Sequence, residues 1–148
     1  MPGIVCAIRG GPDSSPTIKT SIILAKESGE TLYFLYVVNL DFLARTAISR
    51  THAVSEEMYE MGEFILLTAQ ATAAAEGVAA ETVVRKGNVR EEIVSLSLEV
   101  GADYVVLGQP RAQKIGDTFD NELITQFSKR IAEETGAKVI LAKEEDLG

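Results

Sequence analysis

The sequence predicts an α/β fold: one domain over residues 1–148 with an open, parallel five-stranded sheet and helices on both of its faces. Three observations predict it. Short apolar runs alternate along the chain with segments of helical periodicity. The runs are almost continuously apolar, which suits strands buried on both faces, as in a parallel sheet. Four glycines each follow a helical segment and precede a strand, the place where a left-handed residue closes a helix.

The first strand is expected at Ile4 to Ile8, a run with two β-branched isoleucines, a valine and Cys6. A helix follows in which Ile18, Ser21, Ile22 and Ala25 make one stripe. Ser15-Pro16 reads as its N-cap with proline at the first helical position. Gly29 ends it, and Leu32 to Val38 forms the second strand. Val54, Met58, Met61 and Ile65 give the core stripe of the second helix, with Glu56, Glu57 and Glu60 on its solvated face. Gly77 closes that helix ahead of a third strand at Thr82 to Arg85. Asn88 with Glu91 three residues on resembles a capping box. Val89, Ile93, Leu96 and Val100 then face the core, and Gly101 leads into the fourth strand at Tyr104 to Leu107. The last helix begins near Asp120 or Asn121 and carries Ile124, Phe127 and Ile131; Gly136 separates it from the fifth strand, Lys138 to Ala142. The order β-α-β-α-β-α-β-α-β implies right-handed crossovers. Two segments have no regular pattern, Asn39 to about Ala53 and Gly108 to about Asp120. Long loops of this kind in compact domains are commonly functional.

Composition narrows the function. The net charge is −8, which argues against nucleic acid and anionic lipid as partners, since both need Lys/Arg patches. No apolar run approaches the ~18 residues of a membrane span. The start of the chain, Met1-Pro2-Gly3, has no basic segment ahead of a long apolar run and is not expected to be a signal peptide. One cysteine, Cys6, excludes an internal disulfide, and one histidine, His52, leaves no Cys/His cluster for zinc. A cytoplasmic protein without a metal is the expectation.

A ligand in a doubly wound sheet sits beyond the carboxyl ends of the strands, where the strand order reverses. With a flavodoxin-like order of 3-2-1-4-5, that point lies between the first and fourth strands. The residues leaving them are Ile8-Arg9-Gly10-Gly11 and Gly108-Gln109-Pro110-Arg111. Val37-Val38-Asn39 ends the second strand nearby. The last helix would aim its N-terminus at the same crevice, a natural seat for a phosphate.

Several segments together resemble the universal stress protein (UspA-like) family. They are Ile4 to Ile8 followed by Gly10, Leu32 to Val38, Gly87-Asn88-Val89, Gly101-Ala102-Asp103-Tyr104-Val105-Val106-Leu107-Gly108 and Gly136 to Leu141. The resemblance spans essentially the whole chain and implies a HUP-type sheet. Nucleotide-binding members carry Gly-x2-Gly-x9-Gly-Ser/Thr after the fourth strand. Here the first glycine is Gly108, the second position is Arg111, and the final pair falls on Asn121-Glu122. The aspartate that such members have after the first strand is Arg9 here, while the adenine-facing position matches at Val37 or Val38. The resemblance therefore implies a kept fold with a degenerate phosphate motif. It also implies a homodimer formed through the last strand, about Ala137 to Lys143, with Val139, Ile140 and Leu141 as the edge residues. No cofactor is fixed by these residues; ATP and AMP are the candidates.

Charge agrees with the altered motif. Asp117, Asp120 and Glu122 cluster where the last helix begins, stabilised there by the helix dipole by roughly 0.3–1 kcal/mol each, and they would repel a triphosphate. Arg9 and Arg111 are two guanidinium groups at one crevice, a chemistry suited to AMP, a cyclic nucleotide or a smaller acid. The alternative is that they pair with the three carboxylates and close the cleft.

Other residues read more simply. His52 falls in the long loop before the second helix with no acid/base partner near in sequence. Cys6 is a mid-strand core residue. Ser14, Ser15 and Thr17 lack a histidine nearby and the Gly-x-Ser-x-Gly elbow, so helix capping accounts for them. No Gly-Lys-Ser/Thr marks a P-loop. Three functions follow in order: a non-catalytic stress-response or signalling domain acting as a homodimer, a sensor of ATP or AMP, and a slow nucleotide hydrolase, for which no acid/base constellation is visible.

Overall fold

A computed structural model describes residues 3–8, 14–39, 48–108 and 117–142. They form β1 (Gly3–Ala7), α1 (Ser14–Ser28), β2 (Thr31–Asn39), α2 (Ile48–Ala75), β3 (Ala80–Gly87), α3 (Val89–Val100), β4 (Ala102–Gly108), α4 (Asp117–Thr135) and β5 (Lys138–Ala142). The strands make one parallel sheet in the order β3-β2-β1-β4-β5. β1 therefore lies in the middle, and its Ile4, Val5 and Cys6 are fully buried.

Alternation along the strands divides the core in two. Ile4, Cys6, Phe34, Tyr36, Val38 and Val106 face one side, where they meet Ile22 and Ala25 of α1 and Leu66, Ala69 and Ala73 of α2. Val5, Leu35, Val105 and Leu107 face the other, against Ile93 and Leu96 of α3 and Ile131 of α4. A residue step of one flips the side chain to the opposite layer, so a continuous apolar run serves both layers at once.

The helix ends follow the sequence signals closely. Asn88 caps α3, its side chain accepting the Glu91 N–H at 3.0 Å. Gly29, Gly77, Gly101 and Gly136 all have positive φ, between 64° and 82°. The start of α1 differs from expectation. The helix already includes Ser14, so Pro16 is its third residue and not its first. Proline fits there because the first four N–H groups of a helix have no intrahelical acceptor.

Two further expectations are corrected. α2 begins at Ile48 and α4 at Asp117, so His52 lies within a helix and the irregular segments are shorter than the pattern suggested. The core stripe of α2 is also shifted. Gly62, Leu66, Ala69 and Ala73 are buried, while Met61 is 56% exposed. Met58 and Ile65 do pack against the core. The mistake has a physical origin: α2 is apolar on more than one side, so its periodicity admits more than one stripe. Glu56, Glu57 and Glu60 are exposed as expected.

Candidate functional site

The strand order reverses between β1 and β4, since β2 and β3 extend one way from β1 and β4 and β5 the other. The crevice is therefore at the carboxyl ends of β1 and β4, beneath the starts of α1 and α4. Ile8, at its floor, is buried and donates its N–H to the Leu35 carbonyl at 2.8 Å. That bond extends the β1–β2 ladder one residue past the strand and fixes where the chain leaves the sheet.

Gly108 ends β4 opposite Ala142 of β5. A Cβ added there would stand 2.8 Å from Thr17 Oγ1. Thr17 lies in the first turn of α1 and is almost fully buried. It is thus a packing residue inside the first turn of α1, not the capping hydroxyl its position suggested. Its carbonyl accepts the Cys6 thiol at 3.7 Å. Burial pushes that thiol up to about 12, with a side-chain hydrogen bond to Ser21 acting the other way. Cys6 is consequently a neutral core residue, as its sequence setting indicates.

Val37 and Val38 point to different layers. Val38 is fully buried on the α1/α2 side, whereas Val37 is half-buried on the α3/α4 side. They sit in register with Arg85 and Lys86 of β3, two cations that the motif reading passed over. Neither charge stands alone. Arg85 forks onto Glu99 at 2.9 and 2.8 Å and lies 3.7 Å from Glu92. The Arg85 guanidinium holds the Glu99 carboxyl below its usual range. Lys86 stands over the Tyr59 ring of α2, 5.4 Å from its centre. Two adjacent cations at a strand end, Arg85-Lys86, were a visible signal; the partners on α2 and α3 were not.

Gly87, between Arg85 and the cap of α3, has φ +148°, and a Cβ there would stand 2.8 Å from Glu92 Oε2. Glycine lets β3 turn into α3 while Glu92 stays close to the strand end.

Arg9, Gly10 and Arg111 lie outside the described residues. Asn121 and Glu122 are in the first half of α4, but their side chains lie outside what is described. Val139, Ile140 and Leu141 are the half-buried middle of β5. No group of three or more metal-ligating side chains occurs among the described residues, and no described helix is long and apolar enough to cross a membrane.

Sheet order, crossovers and the position of the crevice define a doubly wound α/β domain of the kind that receives ligands at its switch point. The chain belongs to the universal stress protein family, whose model matches residues 2–143. No curated protein sequence matches it. Among solved structures it is similar to universal stress protein UspA from Lactobacillus plantarum, at 14% identity and a TM-score of 0.77, over 95% of this chain and 97% of that one. A universal stress protein family member from Burkholderia pseudomallei shares 21% identity with a TM-score of 0.71, over 93% and 92%. The universal stress protein from Archaeoglobus fulgidus in complex with dAMP shares 17% identity with a TM-score of 0.59, over 97% and 98%.

Proposed function

We propose that this universal stress protein domain is a non-catalytic stress-response or signalling module that works as a homodimer and whose nucleotide crevice is degenerate. The observation that carries the reading is the contact at Gly108. The one motif glycine that survives has a packing role: it lets Thr17 of α1 close onto β4. Its survival therefore needs no phosphate to explain it. The other motif positions hold Arg111, Asn121 and Glu122, and Arg85, in register with Val37, is committed to Glu99 and Glu92. The dimer is assigned to β5, which pairs with β4 alone among the described residues.

A second reading is a sensor of ATP or AMP. The structure from Archaeoglobus fulgidus that holds dAMP favours it, as do Arg9 and Arg111, placed by sequence at the crevice.

Thermal unfolding with millimolar ATP, AMP or cyclic AMP and Mg²⁺ separates the two. Under the first reading the melting temperature is the same with and without each nucleotide. A ligand at about 100 times its dissociation constant adds roughly 2.7 kcal/mol, or about 5–10 °C for a domain of this size. A shift of that size would overturn the degenerate crevice and make Arg9→Ala and Arg111→Ala the next variants.

A further inference from the structure

α2 carries a second apolar face that nothing in this chain covers among the described residues. Its sheet side is Gly62, Leu66, Ala69 and Ala73. Phe64 and Ala71, seven residues apart, stand on the opposite side of the helix. Phe64 is 71% exposed, and Met61 and Leu67 beside it are 56% and 58% exposed. No charged residue occurs between Glu63 and Glu76. A helix that is apolar on both sides is normally buried on both sides.

The two threonines of this face are already satisfied. Thr68 Oγ1 donates to the Phe64 carbonyl and Thr72 Oγ1 to the Thr68 carbonyl, each at 3.0 Å. Their hydroxyl protons turn back onto their own helix, so covering the face strands no donor. With Ala71 and Ala75 also exposed, the surface is low enough for another helix to approach closely.

Charge names the occupant. The N-terminal half of the face is bordered by exposed Glu57, Glu60 and Glu63. At its other end Lys26 of α1 pairs with Glu76 at 2.9 Å, and Lys19, seven residues before Lys26, acts on the same carboxylate. Exposed Ile23 lies between those lysines on the same stripe of α1. A surface that is acidic at one end, apolar in the middle and carries two lysines against the single carboxylate of Glu76 at the other is complementary to itself when turned end for end. That is the requirement of a two-fold interface.

We propose that this face of α2 binds α2 of a second copy of the chain, antiparallel, about a two-fold axis passing between Leu67 and Thr68. The pairing sets Phe64 of each copy on Ala71 of the other, large against small. It brings Glu57 and Glu60 of one copy toward Lys19 and Lys26 of the other. The interface is separate from the β5 edge: α2 packs over β2 and β3, on the far side of the sheet order from β5. One helix pair is a small contact, so association is weak and concentration-dependent.

Sedimentation velocity over a range of concentrations tests it. Phe64→Glu should weaken this association step by roughly 30-fold, the loss typical of an aromatic anchor, with the melting temperature unchanged in protein too dilute to associate, where Phe64 contacts water. A β5 dimer would persist in that variant, so failure of one interface is distinguishable from failure of the other. Under mild oxidation Thr68→Cys should give a disulfide-linked dimer. Leu98→Cys, exposed on α3 across the sheet, should not. Cys6 is buried and stays out of the reaction. The proposal is overturned if Phe64→Glu associates like the parent at every concentration, or if Thr68→Cys cross-links no faster than Leu98→Cys. Should Phe64→Glu fail to fold, the cysteine comparison still decides.

Discussion

A methyl group at Gly108 separates packing from ligand binding, because the backbone there has no positive φ that would itself demand glycine. The added Cβ meets Thr17 Oγ1 at 2.8 Å, and Thr17 is itself almost fully buried, so its side chain has little room to turn away. Gly108→Ala should therefore destabilise the domain by about 1–2 kcal/mol, the usual scale of overpacking. Thr17→Ala removes the opposing atom. In that background Gly108→Ala should lose less than about 0.5 kcal/mol, because the two positions are coupled through one contact. Urea unfolding of the four proteins in the cycle measures the coupling. Additive losses would show that Thr17 is not what Gly108 accommodates and would return the glycine to a phosphate role. Sequence reading placed Gly108 correctly but gave it the motif's purpose, since Thr17 is 91 positions away and looked like a capping hydroxyl. The contact depends on α1 crossing onto β4, a tertiary fact that no local pattern carries.

At the scale of elements, the strands of the sheet interior were legible because their runs are apolar on both faces, the edge strand β3 only through Val83 and Val84, and the helix ends because glycine and Asn88 have a backbone reason to be there. What failed was the phase and length of α2. Its core side carries the small residues Gly62, Ala69 and Ala73 beside Leu66, with the expected Met58 and Ile65 packed at its border, while the bulky Met61, Phe64 and Leu67 point outward; a hydrophobicity count admits either side. The small side is needed because α2 lies close to the sheet. At Gly62 a Cβ would overlap the Tyr36 ring, coming within 2.9 Å even of its Cγ, the root of the ring. Tyr36 is buried, so the ring has nowhere to swing. Glycine within a helix costs about 1 kcal/mol relative to alanine, so Gly62→Ala would be stabilising if space were the only neutral factor. Overpacking of about 1–3 kcal/mol opposes that gain. The expected outcome is a net loss of up to about 2 kcal/mol, read as a lower urea midpoint. A higher midpoint would mean that α2 can lift from the sheet without penalty. The start of α4 was missed for a different reason: Asp117 and Asp120 stood out as a charge cluster, and Phe119 between them, eight residues before Phe127, was left out of the stripe.

For the whole molecule, the two edges of the sheet present different surfaces. β3 carries Glu81, Arg85 and Lys86 along its length, and charge on an edge strand discourages pairing with another chain. β5 reads Lys138-Val139-Ile140-Leu141-Ala142, with no charge after its first residue. Its three central side chains are only half-buried although they pack toward both cores. An uncharged, half-covered edge is the place where a second copy can add a strand and satisfy the open backbone groups. The assignment of the homodimer to β5 predicts a particular hydrogen-exchange pattern. In a parallel edge strand, alternate N–H groups point to β4 and the rest point outward. Inward amides should be protected at all concentrations. Outward amides of β5 should exchange quickly in dilute protein and become protected as concentration rises through the dimer transition. The same protection should survive Phe64→Glu, since α2 lies over the other end of the sheet. Outward amides that stay unprotected in a sample shown by sedimentation to be dimeric would exclude β5 as the seam. If Phe64→Glu then abolished that dimer, α2 would be the principal interface, and the family's edge-strand dimer would not describe this chain.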